Sequence, residues 1–223
     1  MPLALSPLFS LTHTPYADRE IVIDPATGKR AVRRCPVPWS DTACTILFSK
    51  YARKTGCPHP EGEIDASEIF ARLSSAWAHW ALELGYVDHK GSSVLYAEAH
   101  AMLEQQVMAP NSPQWFNTGL ELAYGITGSA QGHWAIDLAD SAPVPRVVAC
   151  EDALSRPQVS ACFIQSVTDD LVNPGGIMDL VQREARVFKF GGGSGSNFSA
   201  IRGRGEPLAG GVPFGVNTSS RHR

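Results

Sequence analysis

Apolar residues recur at helical spacing in three stretches of the chain. Asp65-Ala-Ser-Glu68 has the pattern of a capping box, with Asp in place of Ser or Thr. Ile69, Phe70, Leu73, Trp77, Trp80, Ala81 and Leu84 then mark one face until Gly85, a natural C-terminal stop. A second helix is predicted from Ser93 to Met108, with Leu95, Met102 and Met108 on its apolar side and Pro110 ending it. The third, Gly176–Phe190, carries Ile177, Leu180, Val181, Glu184, Val187 and Phe188 along one side. Val159–Val167 has strand periodicity instead: Cys162, Ile164 and Ser166 share one face, Ala161, Phe163 and Gln165 the other.

The remaining segments are less regular. Residues 1–64 are proline-punctuated and weakly periodic. Within them Cys35-Pro-Val-Pro-Trp39 reads as extended, and Ser40–Thr55 as a short helix ended by Gly56 and Pro58. Asn111-Ser-Pro-Gln-Trp-Phe-Asn-Thr-Gly119 reads as a structured loop with a buried aromatic anchor. Residues 124–158 hold short β-rich pieces such as Arg146–Ala149 among scattered Gly and Pro. The expected segments are 1–64, an irregular N-terminal stretch; 65–110, helical; 111–211, a further domain; and 212–223, an atypical tail.

Composition narrows the class. A chain of 223 residues, 43% hydrophobic, is long enough for one cored domain, or one plus an appendage. No run approaches the roughly 18 apolar residues of a membrane helix. Lys+Arg 19 against Asp+Glu 22 leaves no basic excess for nucleic acid or anionic lipid, so no DNA or membrane partner is expected. The start of the chain lacks a basic secretory n-region. Five cysteines at irregular spacing, with no C-x-x-C, suit reduced thiols in a cytoplasmic protein and offer no zinc motif.

Four places could carry chemistry. In Gly191-Gly-Gly-Ser-Gly-Ser-Asn-Phe-Ser199 the glycines would let backbone N–H groups approach an anion; the alternative is a flexible cap on the preceding helix. The loop is neither a Walker A nor a dinucleotide fingerprint. Cys162, mid-strand, is either an inert core thiol or a sulfur facing a pocket. Arg202 and Arg204 could fork onto phosphates or belong to a solvated turn. Asp169-Asp170 could meet a ribose hydroxyl or cap the next helix. No metal cluster or Ser-His-Asp arrangement is evident.

Four motifs, in this order and spacing, change those readings: Asn111–Gly119, Ser160-Ala-Cys-Phe-Ile164, Gly175-Gly-Ile-Met-Asp179 and Gly191–Ser199. Together they closely resemble the N-terminal part of the class II, adenosylcobalamin-dependent ribonucleotide reductases. The resemblance is strong over residues 60–211. It implies an α/β fold, a helical N-terminal region leading into the first part of a ten-stranded α/β barrel. It also implies conversion of ribonucleoside diphosphates to 2′-deoxyribonucleotides by radical chemistry. Cys162 matches the first member of the family's redox cysteine pair and thereby becomes the expected catalytic residue. Ser112, Ala161, Cys162, Gly192 and Gly193 match substrate-contacting positions. Asp169 and Arg202 match a specificity site for a deoxynucleoside triphosphate effector at a dimer interface. The implied partners are the ribonucleotide, the effector, a thioredoxin-like reductant and a second copy; the implied cofactor is adenosylcobalamin, with no contacts identifiable here.

The departures are equally informative. Neither the family's Asn-x-Cys-x-Glu finger loop nor its second redox cysteine occurs in these 223 residues. Val212–Arg223 reads as a truncated or frameshifted end, and about a third to a quarter of the family's usual length is expected to be present. The expectation is an enzyme portion inactive by itself, with open sheet edges that favour poor solubility. The alternatives are a non-catalytic nucleotide-binding module and a split enzyme completed in trans. Cys35, Cys44, Cys57 and Cys150 are expected to be structural or incidental thiols.

Overall fold

The computed structural model describes residues 3–10, 14–137 and 146–206, so the expected tail at 212–223 lies outside the described residues. The chain divides into two compact units, Met1–Val159 and Ser160–Arg223. Residues 111–137 and 146–159 fall in the first unit and 160–206 in the second.

The first unit opens on a hairpin within the stretch that the sequence pattern marks as irregular. β1 (Tyr16–Asp24) pairs antiparallel with β2 (Lys29–Pro36). Asp24 starts the turn between them by accepting from Ala26 N and Thr27 Oγ1, a side-chain mimic of a backbone turn. α1 (Asp41–Ile46) is capped by Ser40 and runs into a π-turn, Leu47–Tyr51. α2 (Ala66–Glu83) begins at the predicted capping box, with Asp65 accepting from Ser67 N and Glu68 reaching back to Asp65 N.

α3 occupies His89–Glu104, not Ser93–Met108. Asp88 caps it by accepting from Gly91 N, so the helix starts a turn early and tolerates a glycine. Asn111–Gly119 is also corrected, from a loop to α4 (Ser112–Asn117). Pro113 sits in the first turn, where a missing N–H costs no helical hydrogen bond. Its Trp115 is buried, as the anchor reading expects. α5 (Leu120–Tyr124) follows, then the pair β3 (Trp134–Asp137) and β4 (Arg146–Ala149).

The core of this unit joins β1, β2, α1 and the α2–α3 pair through Ile21, Cys35, Cys44, Phe48, Phe70 and Leu103. Phe70 is enclosed by Trp39, His100 and Trp115. Full burial of a ring of this size is worth roughly 1.5–3 kcal/mol. Cys35 and Cys44 lie in this core; burial, then the neighbouring Cys44 thiol, raises the Cys35 pKa.

An ion pair also lies inside. Arg72 donates from Nε to Glu63 at 2.7 Å, with side chains 1% and 0% exposed. The same guanidinium donates to Thr118 O at 2.6 Å and Trp115 O at 3.2 Å, tying α2 to the α4 segment. Glu63 is completed by Arg53 N and the Tyr124 hydroxyl. Gly119 closes the segment at φ +76°, where any Cβ would run into the Arg72 carbonyl.

The second unit is a β–α–β element: β5 (Cys162–Ser166), α6 (Ile177–Lys189) and β6 (Gly193–Asn197). β5 and β6 pair in parallel, which requires a crossover, and α6 supplies it. Here the Gly191–Ser199 loop reading is corrected to a strand. Gly191, at φ +83°, ends the helix region, and from Gly193 the backbone takes its hydrogen bonds from β5. Helices and parallel strands give the expected α/β character. No barrel closes among the described residues.

Candidate active site

Four of the predicted site residues meet at the start of the β5–β6 ladder. Cys162 stands directly opposite Gly193 in the register, and Gly193 N donates to Ala161 O at 2.6 Å. Gly192 N, one residue earlier, donates to Val187 O and closes α6. Paired residues point to the same side of a sheet. Cys162, Ile164 and Ser166 therefore share a face with Gly193, Gly195 and Asn197.

Within its unit that face is open. Cys162 and Ser166 are exposed, and Ile164 is 87% exposed. A Cβ placed on Gly193 would meet only Ala161 O, at 3.7 Å. Cys162 is thus an exposed thiol beside the bare backbone of Gly193, on a face it shares with the Ile164 side chain. The opposite face is closed by side chains. Gln165, buried, donates from Nε2 to Ser194 Oγ at 2.9 Å. Ser194 and Ser196 in turn donate to Glu184 on α6, at 3.1 and 2.6 Å.

Asp169 and Arg202 form a second cluster, in which Arg202 Nε donates to Asp169 Oδ2 at 2.5 Å. Both residues keep one buried polar atom without a hydrogen-bond partner, Oδ1 and Nη1 respectively. Asp170 takes the turn role instead: it accepts from Val172 N, Asn173 N and the Asn173 amide. Those bonds, Asn173's first, hold its carboxyl below the ordinary value. Arg204 is exposed.

Ser112 lies in the first unit, at the start of α4, with its hydroxyl 3.2 Å from the Tyr51 hydroxyl. Arg72 holds the carbonyls at the far end of that helix. Sequence reasoning places Glu184 and Gln165 on their faces but gives them, and Arg72, no role. Each leaves a signal: a charged or amide side chain set on an otherwise apolar face.

Residues 20–106 match the family described as class II vitamin B12-dependent ribonucleotide reductase, and residues 160–218 match ribonucleotide reductase, barrel domain. The chain belongs to the class II vitamin B12-dependent ribonucleotide reductases. Proteins named vitamin B12-dependent ribonucleotide reductase from Bradyrhizobium diazoefficiens and Agrobacterium fabrum are 42% and 43% identical to it over 79% of its length. One from Rhodopirellula baltica is 34% identical over the same share. The chain spans 16% of the length of each of these reductases, less than the quarter to a third expected from the resemblance.

The residues present do not outline a cobalamin site. Two clefts of the first unit, of about 690 and 410 Å³, are walled by charged groups, Arg33, Arg34 and Asp65 in one, Lys29, Arg53 and Lys54 in the other. Neither offers the broad apolar wall that a corrin face needs; a third cleft, of about 520 Å³, is lined by Cys57, Pro58, His59 and Tyr124 but also by Glu63 and Glu68. Among the described residues no cluster of three or more His, Cys, Asp or Glu could ligate a metal, and no helix is long and apolar enough to cross a membrane. No residue of this reductase segment is assigned to the cofactor.

Proposed function

We propose that this chain contributes the first redox thiol and part of the ribose floor of a cytoplasmic, adenosylcobalamin-dependent ribonucleoside-diphosphate reductase. The observation that carries the reading is Cys162 standing opposite Gly193 on the open face of β5–β6. A thiol beside side-chain-free backbone leaves room for a sugar ring. In the overall reaction two thiols become one disulfide, giving up two protons and two electrons. The 2′ C–O bond is replaced by C–H, and the oxygen leaves as water. Cys162 is one of those thiols; its partner and the finger-loop cysteine do not occur in these 223 residues.

Ala161, Gly192 and Gly193 would present backbone to the nucleotide, and Ser112 a hydroxyl. Asp169 and Arg202 would receive the sugar and phosphates of a deoxynucleoside triphosphate, and their unpartnered atoms support that role. The β–α–β unit is read as the first part of a ten-stranded barrel in a homodimer recharged by a thioredoxin-like reductant. The chain by itself is expected to reduce no nucleotide.

The test is the alkylation rate of Cys162 with and without cytidine diphosphate, followed by mass spectrometry, with half-buried Cys150 as reference. The nucleotide should slow Cys162 several-fold and leave Cys150 unchanged. Equal rates at Cys162 would remove the substrate-floor reading. Extending the chain through the family's finger loop and second cysteine separates catalysis from mere binding. Cys162→Ser should then abolish turnover, and full turnover would favour a binding module.

A further inference from the structure

We propose that Glu184 is a positioning residue, which fixes the Gly-Ser strand so that its glycine face stays registered beside the Cys162 thiol. The inference rests on the reductase reading above and adds a residue to it. β6 has little of its own to define it: Gly193 and Gly195 have no side chains to pack, and glycine weakens a strand interior. What defines it is on its other face. Ser194 and Ser196, two residues apart, point to the α6 side, and both hydroxyls donate to the same Glu184 carboxylate oxygen.

The network extends to the neighbouring strand. Gln165, register partner of Ser196, reaches diagonally to donate to Ser194 Oγ. A chain of donors thus runs from Gln165 through Ser194 to a charged acceptor, with Ser196 joining it. Hydrogen bonds to an ionised acceptor are about twice as strong as neutral ones. Three of the four groups are strand residues and the fourth belongs to the crossover helix, so one carboxylate locks all three elements of the unit. Glu184 reaches neither the thiol nor the open face; it acts only through the strand.

The geometry also explains the composition of β6. Residues at 193 and 195 must leave the open face free, while those at 194 and 196 must donate to Glu184. A Cβ at Gly195 would meet only Ile164 Cδ1, at 3.2 Å, the movable end of an exposed side chain on the same face.

The test uses the 223-residue chain with Glu184→Ala, Glu184→Gln and Ser196→Ala. Amide exchange of Gly193–Asn197 and of α6 is followed, together with the cytidine diphosphate concentration that half-protects Cys162 from alkylation. Glu184→Ala should speed β6 exchange about ten-fold or more, the effect of losing charge-assisted hydrogen bonds. It should raise the half-protecting nucleotide concentration by a comparable factor while α6 stays protected. Glu184→Gln keeps an acceptor oxygen and should recover most of both effects. Unchanged β6 exchange and nucleotide protection in Glu184→Ala would overturn the proposal. If Glu184→Ala unfolds α6 as well, Ser196→Ala decides: faster β6 exchange alone supports the role, unchanged exchange removes it. If cytidine diphosphate protects no variant, wild type included, the reductase reading of the floor fails, and β6 exchange still decides the role of Glu184.

Discussion

Arg72 and Glu63 turn their polar atoms onto partners inside their own unit: each other, two carbonyls, a backbone N–H and a tyrosine hydroxyl. Asp169 and Arg202 also pair, yet each retains a buried atom with no partner. The best-buried apolar groups lie in the first unit, although Trp134, Ile136 and Val147 of that unit are also more than half exposed. Ile69, Phe70 and Leu73 are fully buried in the first unit, whereas Ile164, Val181 and Phe188 of the second are more than half exposed. Exposed apolar surface of this kind marks places that other groups occupy. The helical core of the first unit holds its shape through the buried Arg72–Glu63 pair, and most of the residues proposed to meet a ligand lie in the second.

The comparison can be broken most directly at the buried pair. Arg72→Met strands the Glu63 charge, and a buried pair broken on one side costs about 3–5 kcal/mol. Urea unfolding followed by tryptophan fluorescence should show that loss, and Arg72→Met combined with Glu63→Gln should recover part of it. A loss below about 1 kcal/mol would mean that the pair is not holding the α4 segment. Next in size, Gly119→Ala places a Cβ at φ +76° against the Arg72 backbone and should cost about 1–3 kcal/mol in the same assay.

A smaller effect is expected at the α2 cap. Asp65→Ala should cost about 1 kcal/mol, and Asp65→Asn much less, because the side-chain acceptor survives. The smallest concerns the N-terminal segment, where Phe9 N and Ser10 N donate to Glu98. Burial would raise the Glu98 carboxyl, but hydrogen bonds from Ser10, Phe9 and Leu8 outweigh it and bring its pKa down to about 2 from an ordinary 4.5. A depressed carboxyl stabilises the fold above its unfolded value and loses that contribution as pH falls through the folded one. Exchange at Phe9 and Ser10 should therefore rise relative to α2 between pH 4.5 and 2, and in Glu98→Gln this added rise should vanish.

What could be read from the chain divides along the same lines. The capping box at Asp65–Glu68 and the extent of α6 are local patterns, and the structure reproduces both, though of the expected α6 face only Leu180 is buried while Val181 and Phe188 are exposed. The side assignment of β5 also holds, with Gln165 buried and Cys162 exposed. Failures came where a distant partner decides the outcome. Gly191–Ser199 looks like a loop because its glycines have no intrinsic strand preference, and only pairing with β5 makes it one. Asn111–Gly119 holds a helix that starts beside Pro113, and α3 begins before Gly91, where residue preference alone gives little helix signal. The β1–β2 hairpin lies in the stretch read as irregular, although Glu20-Ile-Val-Ile-Asp24 followed by Pro-Ala-Thr-Gly carries a hairpin signal. Arg72 could not be assigned its role from spacing alone, since its partners sit 9 to 46 residues away.

The alternation along β6 sets a rule for how this stretch can change over generations. On the proposed reading, odd positions answer to a bound nucleotide and even positions to the Glu184 carboxylate, so neighbouring codons are under unrelated constraints. A saturation library across residues 192–198, selected for nucleotide protection of Cys162, should show a two-beat tolerance profile. Small threonine-like replacements would survive at 194 and 196, and nothing larger than glycine at 193. Drift in the helix would be coupled to the even beat alone, with Glu184 free to become glutamine long before it could become alanine.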